Sequence, residues 1–106
     1  MAEDDDQTLS PEENRALGKY PISVACNFTG VSEHKLRAFE SAELIGPDRT
    51  KGGTRLFSDK ELEKIRWIAE FTAKGVNYAG IREILEMTEA QEYAVRARRR
   101  NPLKKE

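Results

Sequence analysis

The stretch from residue 24 to residue 57, VACNFTGVSEHKLRAFESAELIGPDRTKGGTRLF, leaves a chain few ways to fold. Val24, Ala25 and Phe28 are spaced for a helix, with Ser23 placed to cap it. Gly30 follows, a residue that accepts the left-handed backbone of a tight turn. Val31 plugs the corner, and Ser32 caps a second helix over about residues 33–43, with Leu36 and Phe39 inward. The segment 44–47 stops it, and Leu44 and Ile45 return to the core. Residues 48–57 form a hairpin whose turn is Lys51-Gly52-Gly53-Thr54, since paired glycines accept positive φ. Either Leu56 or Phe57 anchors that hairpin. Two helices about a glycine turn, followed by a basic hairpin, make a winged helix-turn-helix, a shape suited to reading duplex DNA. The predicted fold class is mainly α with a small β-hairpin wing.

The flanking sequence supports this unit. Ser10, Pro11 and Glu13 make a capping box for a short helix that ends by Gly18. That helix is either a frayed arm or a dimer contact or shield. Tyr20-Pro21-Ile22 is extended, because proline disfavours a helical residue before it. Ser58 with Glu61 is a second capping box and opens a long helix. Leu62, Ile65, Ile68, Ala69 and Thr72 form its inward stripe. Trp67 and Phe71 lie on a neighbouring face and are assigned to the core. Gly75 ends that helix, with Val76 making the apolar contact after it. Asn77 caps a further helix with Ile81, Ile84 and Leu85 inward. A separate last helix, about residues 89–99, carries Ala90, Tyr93, Ala94 and Ala97 on one face. Those four either pair two subunits or pack on their own domain.

At 106 residues the chain holds one small domain. Three parts are expected: an acidic arm at 1–19, disordered over 1–9, a winged domain at 20–88, and a short helix with a basic tail at 89–106. The net charge of −1 conceals a gradient. Residues 1–17 carry net −5 and residues 96–106 carry net +5. The tail is either solvated or adds non-specific DNA affinity, or it associates with the acidic arm when DNA is absent. No apolar run approaches the ~18 residues a bilayer span needs, and the acidic start is unlike a targeting signal. The expected location is cytoplasmic. A single cysteine, Cys26, and a single histidine, His34, exclude an internal disulfide and a mononuclear zinc site. Cys26 reads as buried and inert, and His34 as a surface or DNA-facing residue. No cofactor is expected. Paired His and carboxylates, a nucleophile motif and a phosphate loop are all missing, so no enzyme activity is expected.

DNA affinity comes mainly from Lys and Arg against phosphates, while base edges carry the sequence information. Glu33, His34, Lys35 and Arg37 occupy the N-terminal half of the second helix, the half that meets bases. Arg37 can bond either guanine or phosphate. Arg49, Lys51 and Arg55 decorate the hairpin and would flank the duplex. A charge-rich face on a small helical domain is also compatible with plain solvation, or with a protein-binding module.

Residues 21–87 resemble the MerR family of bacterial transcription regulators. The match is carried by Ile22, Val24-Ala25, Phe28-Thr29-Gly30-Val31-Ser32, Leu36-Arg37, Phe39-Glu40, Leu44-Ile45, Pro47, Arg49, Gly53, Arg55, Phe57-Ser58, Leu62 and Ile65. The later Gly75-Val76-Asn77-Tyr78-Ala79-Gly80-Ile81 is similar to the short-chain HspR and GlnR/TnrA branches. The resemblance implies homodimers on inverted-repeat promoter DNA and control by DNA distortion. It places Lys35 and Arg37 on the recognition helix, Arg49 and Arg55 on the wing, and Tyr78 at the start of the fourth helix near the wing. The implied contact set is Ser32, His34, Lys35, Arg37, Arg49, Lys51, Arg55 and Tyr78. Ala38 replaces an aromatic that is frequent in the family, so a phosphate contact from a tyrosine there is lost. The expected function is a sequence-specific regulator, a repressor, whose signal arrives through a regulatory protein partner or the tails. An architectural, excisionase-like DNA protein is the alternative.

Overall fold

The computed structural model describes residues 9–100, with side chains as far as Glu89. The expected acidic stretch at 1–8, the side chains of Ala90, Tyr93, Ala94 and Ala97, and the basic tail's side chains lie outside the described residues. Among those described, the element order is α1 (Pro11–Ala16), α2 (Ile22–Thr29), α3 (Glu33–Ser41), β1 (Asp48–Arg49), β2 (Arg55–Leu56), α4 (Asp59–Ala73) and α5 (Tyr78–Arg100). The chain divides into two compact units, Met1–Glu70 and Phe71–Glu106.

In the first unit, α1 begins with a complete capping box. The Glu13 N–H donates to Ser10 Oγ at 3.1 Å, and the Ser10 N–H to Glu13 Oε1 at 2.9 Å. Helix α2 starts two residues earlier than its sequence suggests. Pro21 occupies the cap position without a side-chain bond, and its carbonyl accepts the N–H groups of Val24 and Ala25. Ser23 therefore lies inside the first turn rather than capping it. Gly30 closes α2 at φ 78°, and its N–H donates to the Cys26 carbonyl. Ser32 caps α3 by accepting the Lys35 N–H. Among the core side chains are Ala25 of α2, Val31 of the corner, and Leu36 and Phe39 of α3.

Helix α3 stops at Ser41, two residues short of the expected end. Glu43 takes a left-handed backbone at φ 62°. Its N–H donates to the Glu40 carbonyl and that of Leu44 to the Phe39 carbonyl, so the last turn closes as a Schellman motif. Leu44 and Ile45 then enter the core.

The hairpin pairs Asp48 with Leu56 and Arg49 with Arg55. A bond from the Gly53 N–H to the Thr50 carbonyl forms its turn. Gly53 alone takes positive φ there, at 92°, so one glycine rather than two supplies the left-handed turn. Phe57 is the buried anchor. Tyr20 pairs with Phe57 in an antiparallel bridge, adding a third extended segment to the ribbon.

Ser58 caps α4, accepting the Glu61 N–H at 3.1 Å. The expected return bond of the box is replaced, because the Glu61 carboxylate accepts the Gly46 N–H at 2.7 Å. Leu62, Ile65 and Ile68 are buried as their spacing predicts. Trp67 is not a core residue: it is 40% exposed. It sits about 100° from Arg66 and from Ile68 around the helix, turned away from the buried stripe.

In the second unit, Gly75 takes φ 91° after the end of α4. The Gly75 N–H donates to the Thr72 carbonyl and the Val76 N–H to the Phe71 carbonyl, a second Schellman closure. Asn77 caps α5 by accepting the Gly80 N–H at 2.8 Å. Ile81 and Leu85 are buried, and Ile84 is half-buried. The two helices expected over 77–88 and 89–99 are one continuous α5. No glycine or proline falls between Ile81 and Arg100 to break it.

Candidate nucleic-acid interface

The capping serine orients the first turn of α3. Its hydroxyl is occupied by the Lys35 N–H, and Ser32 itself is exposed. Around α3, at about 100° per residue, His34, Arg37 and Ser41 project opposite the buried Leu36 and Phe39. All three are exposed. Lys35 is exposed too, but two residues from Arg37 it lies about 160° away around the helix. Lys35 and Arg37 therefore occupy opposite flanks of the exposed face.

Arg37 is held by Glu33 one turn back, its Nε donating to Glu33 Oε2 at 3.1 Å and its Nη2 to the same oxygen. Both side chains are about half exposed. An exposed i,i+4 pair of this kind contributes roughly 0.3–0.5 kcal/mol and yields readily to a phosphate or a base.

The wing arginines converge on one carboxylate of α3. Arg55 Nε donates to Glu40 Oε1 at 2.7 Å, and Arg49 Nη2 to Glu40 Oε2 at 3.1 Å. Arg49 Nη1 also donates to the Gly53 carbonyl at 2.8 Å, which stiffens the turn. Side-chain exposure separates the two roles, at 21% for Arg55 and 44% for Arg49. Arg55 ties the ribbon to the helix, while Arg49 retains more surface for an incoming anion. Partial burial of Glu40 alone would raise its carboxyl, but the hydrogen bonds and charges of Arg55 and Arg49 outweigh it and hold it below the usual range. Glu40 lies three residues beyond Arg37, so Arg37, Arg49 and Arg55 gather on one side of α3. Lys51 is exposed at the wing tip. Tyr78 opens α5 in the second unit at 36% exposure.

Glu40 was not singled out as a site residue in the sequence. Its signal was an acid on α3 followed by two arginines flanking a glycine turn. Cys26 is half-buried rather than buried, and partial burial with Glu33 nearby pushes its thiol above the ordinary value. Among the described residues no cluster of His, Cys, Asp or Glu could hold a metal ion, and no helix is long and apolar enough to cross a membrane.

The sequence pattern described as MerR HTH family regulatory protein matches residues 20–88. The chain is 36% identical over 87 residues to the HTH-type transcriptional regulator GlnR of Bacillus anthracis, covering 82% of this chain and 67% of that one. It is 36% identical over 69 residues to HspR of Streptomyces coelicolor, whose name marks it as a heat shock protein, covering 64% of this chain and 46% of that one. Among solved structures, the fold matches the N-terminal part of Mta, the Bacillus subtilis multidrug transporter activator. That match has a TM-score of 0.58 at 24% identity, covering 82% of this chain and 90% of the other. A helix-turn-helix with a wing, matched by a family pattern over most of its length, is the DNA-binding domain of a transcriptional regulator rather than an enzyme, and the chain belongs to the MerR family.

Proposed function

We propose that this protein is a sequence-specific repressor, acting in the bacterial cytoplasm, that binds inverted-repeat promoter DNA as a homodimer through α3 and the wing. The observation that supports this reading is the Glu40 clamp, which holds Arg49 and Arg55 of the wing against α3, one turn along from the exposed Arg37. Three guanidinium groups within one helix-and-ribbon surface suit a phosphate backbone that bends past the major groove. His34 and Arg37 are the side chains set to meet base edges. Ser32, Lys35, Arg49, Lys51, Arg55 and Tyr78 are assigned to backbone contacts. Two-fold symmetry in the operator follows from pairing two such readers. Repression is the simpler outcome, since occupying promoter DNA suffices to exclude polymerase, whereas activation needs a further distortion or contact. The signal reaches the protein through a regulatory protein partner.

Selecting bound fragments from genomic DNA and measuring binding at several salt concentrations tests this. A palindromic operator, salt-sensitive binding and raised reporter expression on deletion are expected. Binding without sequence preference, or spread over arrays of direct repeats, would replace it with the architectural reading.

A further inference from the structure

We infer that residues 18–20 form a strap that positions the wing, with Gly18 as the residue that sets the fit; the functional importance of this rests on the DNA-binding reading above. Each wing strand is two residues long, and an isolated hairpin of that size is marginal in water. The wing therefore takes its position from outside contacts. Glu40 supplies one set, and the strap supplies the other.

The strap lies along the base of the ribbon. The Phe57 N–H donates to the Tyr20 carbonyl at 2.7 Å, and the Phe57 carbonyl accepts the Tyr20 and Lys19 N–H groups, each at 3.0 Å. The Gly18 N–H then donates to Asp48 Oδ2 on β1 at 3.2 Å. A Cβ on Gly18 would stand 2.7 Å from the Leu56 carbonyl oxygen of β2, and 2.8 Å and 2.9 Å from Asp48 Oδ2 and Cβ of β1. The Leu56 oxygen is backbone and cannot swing aside, so any side chain here must move the ribbon or the strap. Glycine is required at this position by space, not by φ.

The strap is itself fastened. Lys19 Nζ and Tyr20 Oη donate to the two oxygens of Asp59 in the first turn of α4, at 3.0 Å and 2.7 Å. Ahead of it, Arg15 of α1 pairs with Glu63 at 2.9 Å. Asp48 and Leu56 face each other across the ribbon, and the next pair is Arg49 with Arg55. Both wing arginines are thus one residue from a point the strap touches. Gly18 and Lys19 precede the matched region 20–88, so the residue that sets the fit lies outside the family pattern, while its partners on the ribbon and α4 lie inside it.

The test uses the full chain with Gly18→Ala and, as a variant that adds no bulk, Asp48→Ala. The first readout is amide hydrogen exchange. Both variants should speed exchange at the Thr50 and Gly53 amides about tenfold or more while α3 amides keep their protection. Unchanged wing amides, or uniform acceleration throughout the first unit, would overturn the strap whether or not DNA binds. The second readout is operator affinity, with and without Arg49→Ala and Arg55→Ala together. Gly18→Ala should weaken binding about tenfold with the wing arginines present and less than about twofold without them. Equal losses in both backgrounds would refute a role through the wing. Absence of binding by the unsubstituted chain would refute the DNA reading instead, and the exchange data would still decide the strap.

Discussion

Glu40 carries a negative charge beside the surface proposed to meet DNA, and charge alone would make it a liability there. Its two arginine bonds give it a different purpose, since it orients the two wing arginines proposed to meet DNA. Replacing Glu40 with Ala should therefore weaken operator binding by about tenfold, where a purely electrostatic account expects tighter binding. Anisotropy titrations decide between the two. The same change leaves the partly buried Arg55 unpaired and should lower stability by about 1–3 kcal/mol in urea melts. The carboxyl's native pKa is lowered, so its stabilising contribution is present at neutral pH. That contribution is lost only as pH falls below the unfolded value of about 4.5 and through the lower native one. Glu61 has the opposite sign. Burial pushes its carboxyl up against the Gly46 N–H that would lower it, so its contribution is fully present only below about 4.5 and is lost as pH rises. Glu61→Gln keeps an acceptor for Gly46 without a charge to bury. It should match or exceed the native stability at pH 7, with the gap closing in acid. Glu61→Ala leaves that N–H without its acceptor and should lose about 1–2 kcal/mol by the same melts.

At the scale of elements, the termini of the helices decide what the site can look like. Three left-handed residues, Gly30, Glu43 and Gly75, end α2, α3 and α4. Only Glu43 pays the steric cost of a Cβ there. Glu43→Gly should raise stability by about 1 kcal/mol, and Gly30→Ala should lower it by a similar amount. In a domain this small, each change shifts the thermal midpoint by about 4–8 °C, readable by circular dichroism. The two glycine ends were legible because glycine after an apolar helix announces the turn. The end of α3 was not, because no glycine marks it and its Schellman bonds depend on where Leu44 finds the core. Likewise Ser58 and Glu61 matched a capping box in spacing. Only the folded loop showed that Glu61 bonds to Gly46 instead of closing the box.

For the whole molecule, a net charge of −1 says little about affinity for a polyanion, because the cations that matter are gathered locally. The salt dependence of binding reports how many of them meet phosphate. Arg49→Ala should lower the slope of log affinity against log salt by about one, and similarly across operator sequences. A slope that does not change would mean Arg49 serves only the Glu40 clamp. The order of elements, the glycine corner, the buried stripes of α3 and α4 and the basic hairpin follow from residue spacing alone, because local propensity and hydrophobic periodicity act over a few residues. The exposure of Trp67, the gathering of both wing arginines on Glu40 and the close approach of Gly18 to the ribbon were settled by tertiary structure. Each depends on which surfaces meet across 9 to 40 positions of sequence, as in the Glu40–Arg49 and Lys19–Asp59 pairs, and no local pattern encodes such a meeting.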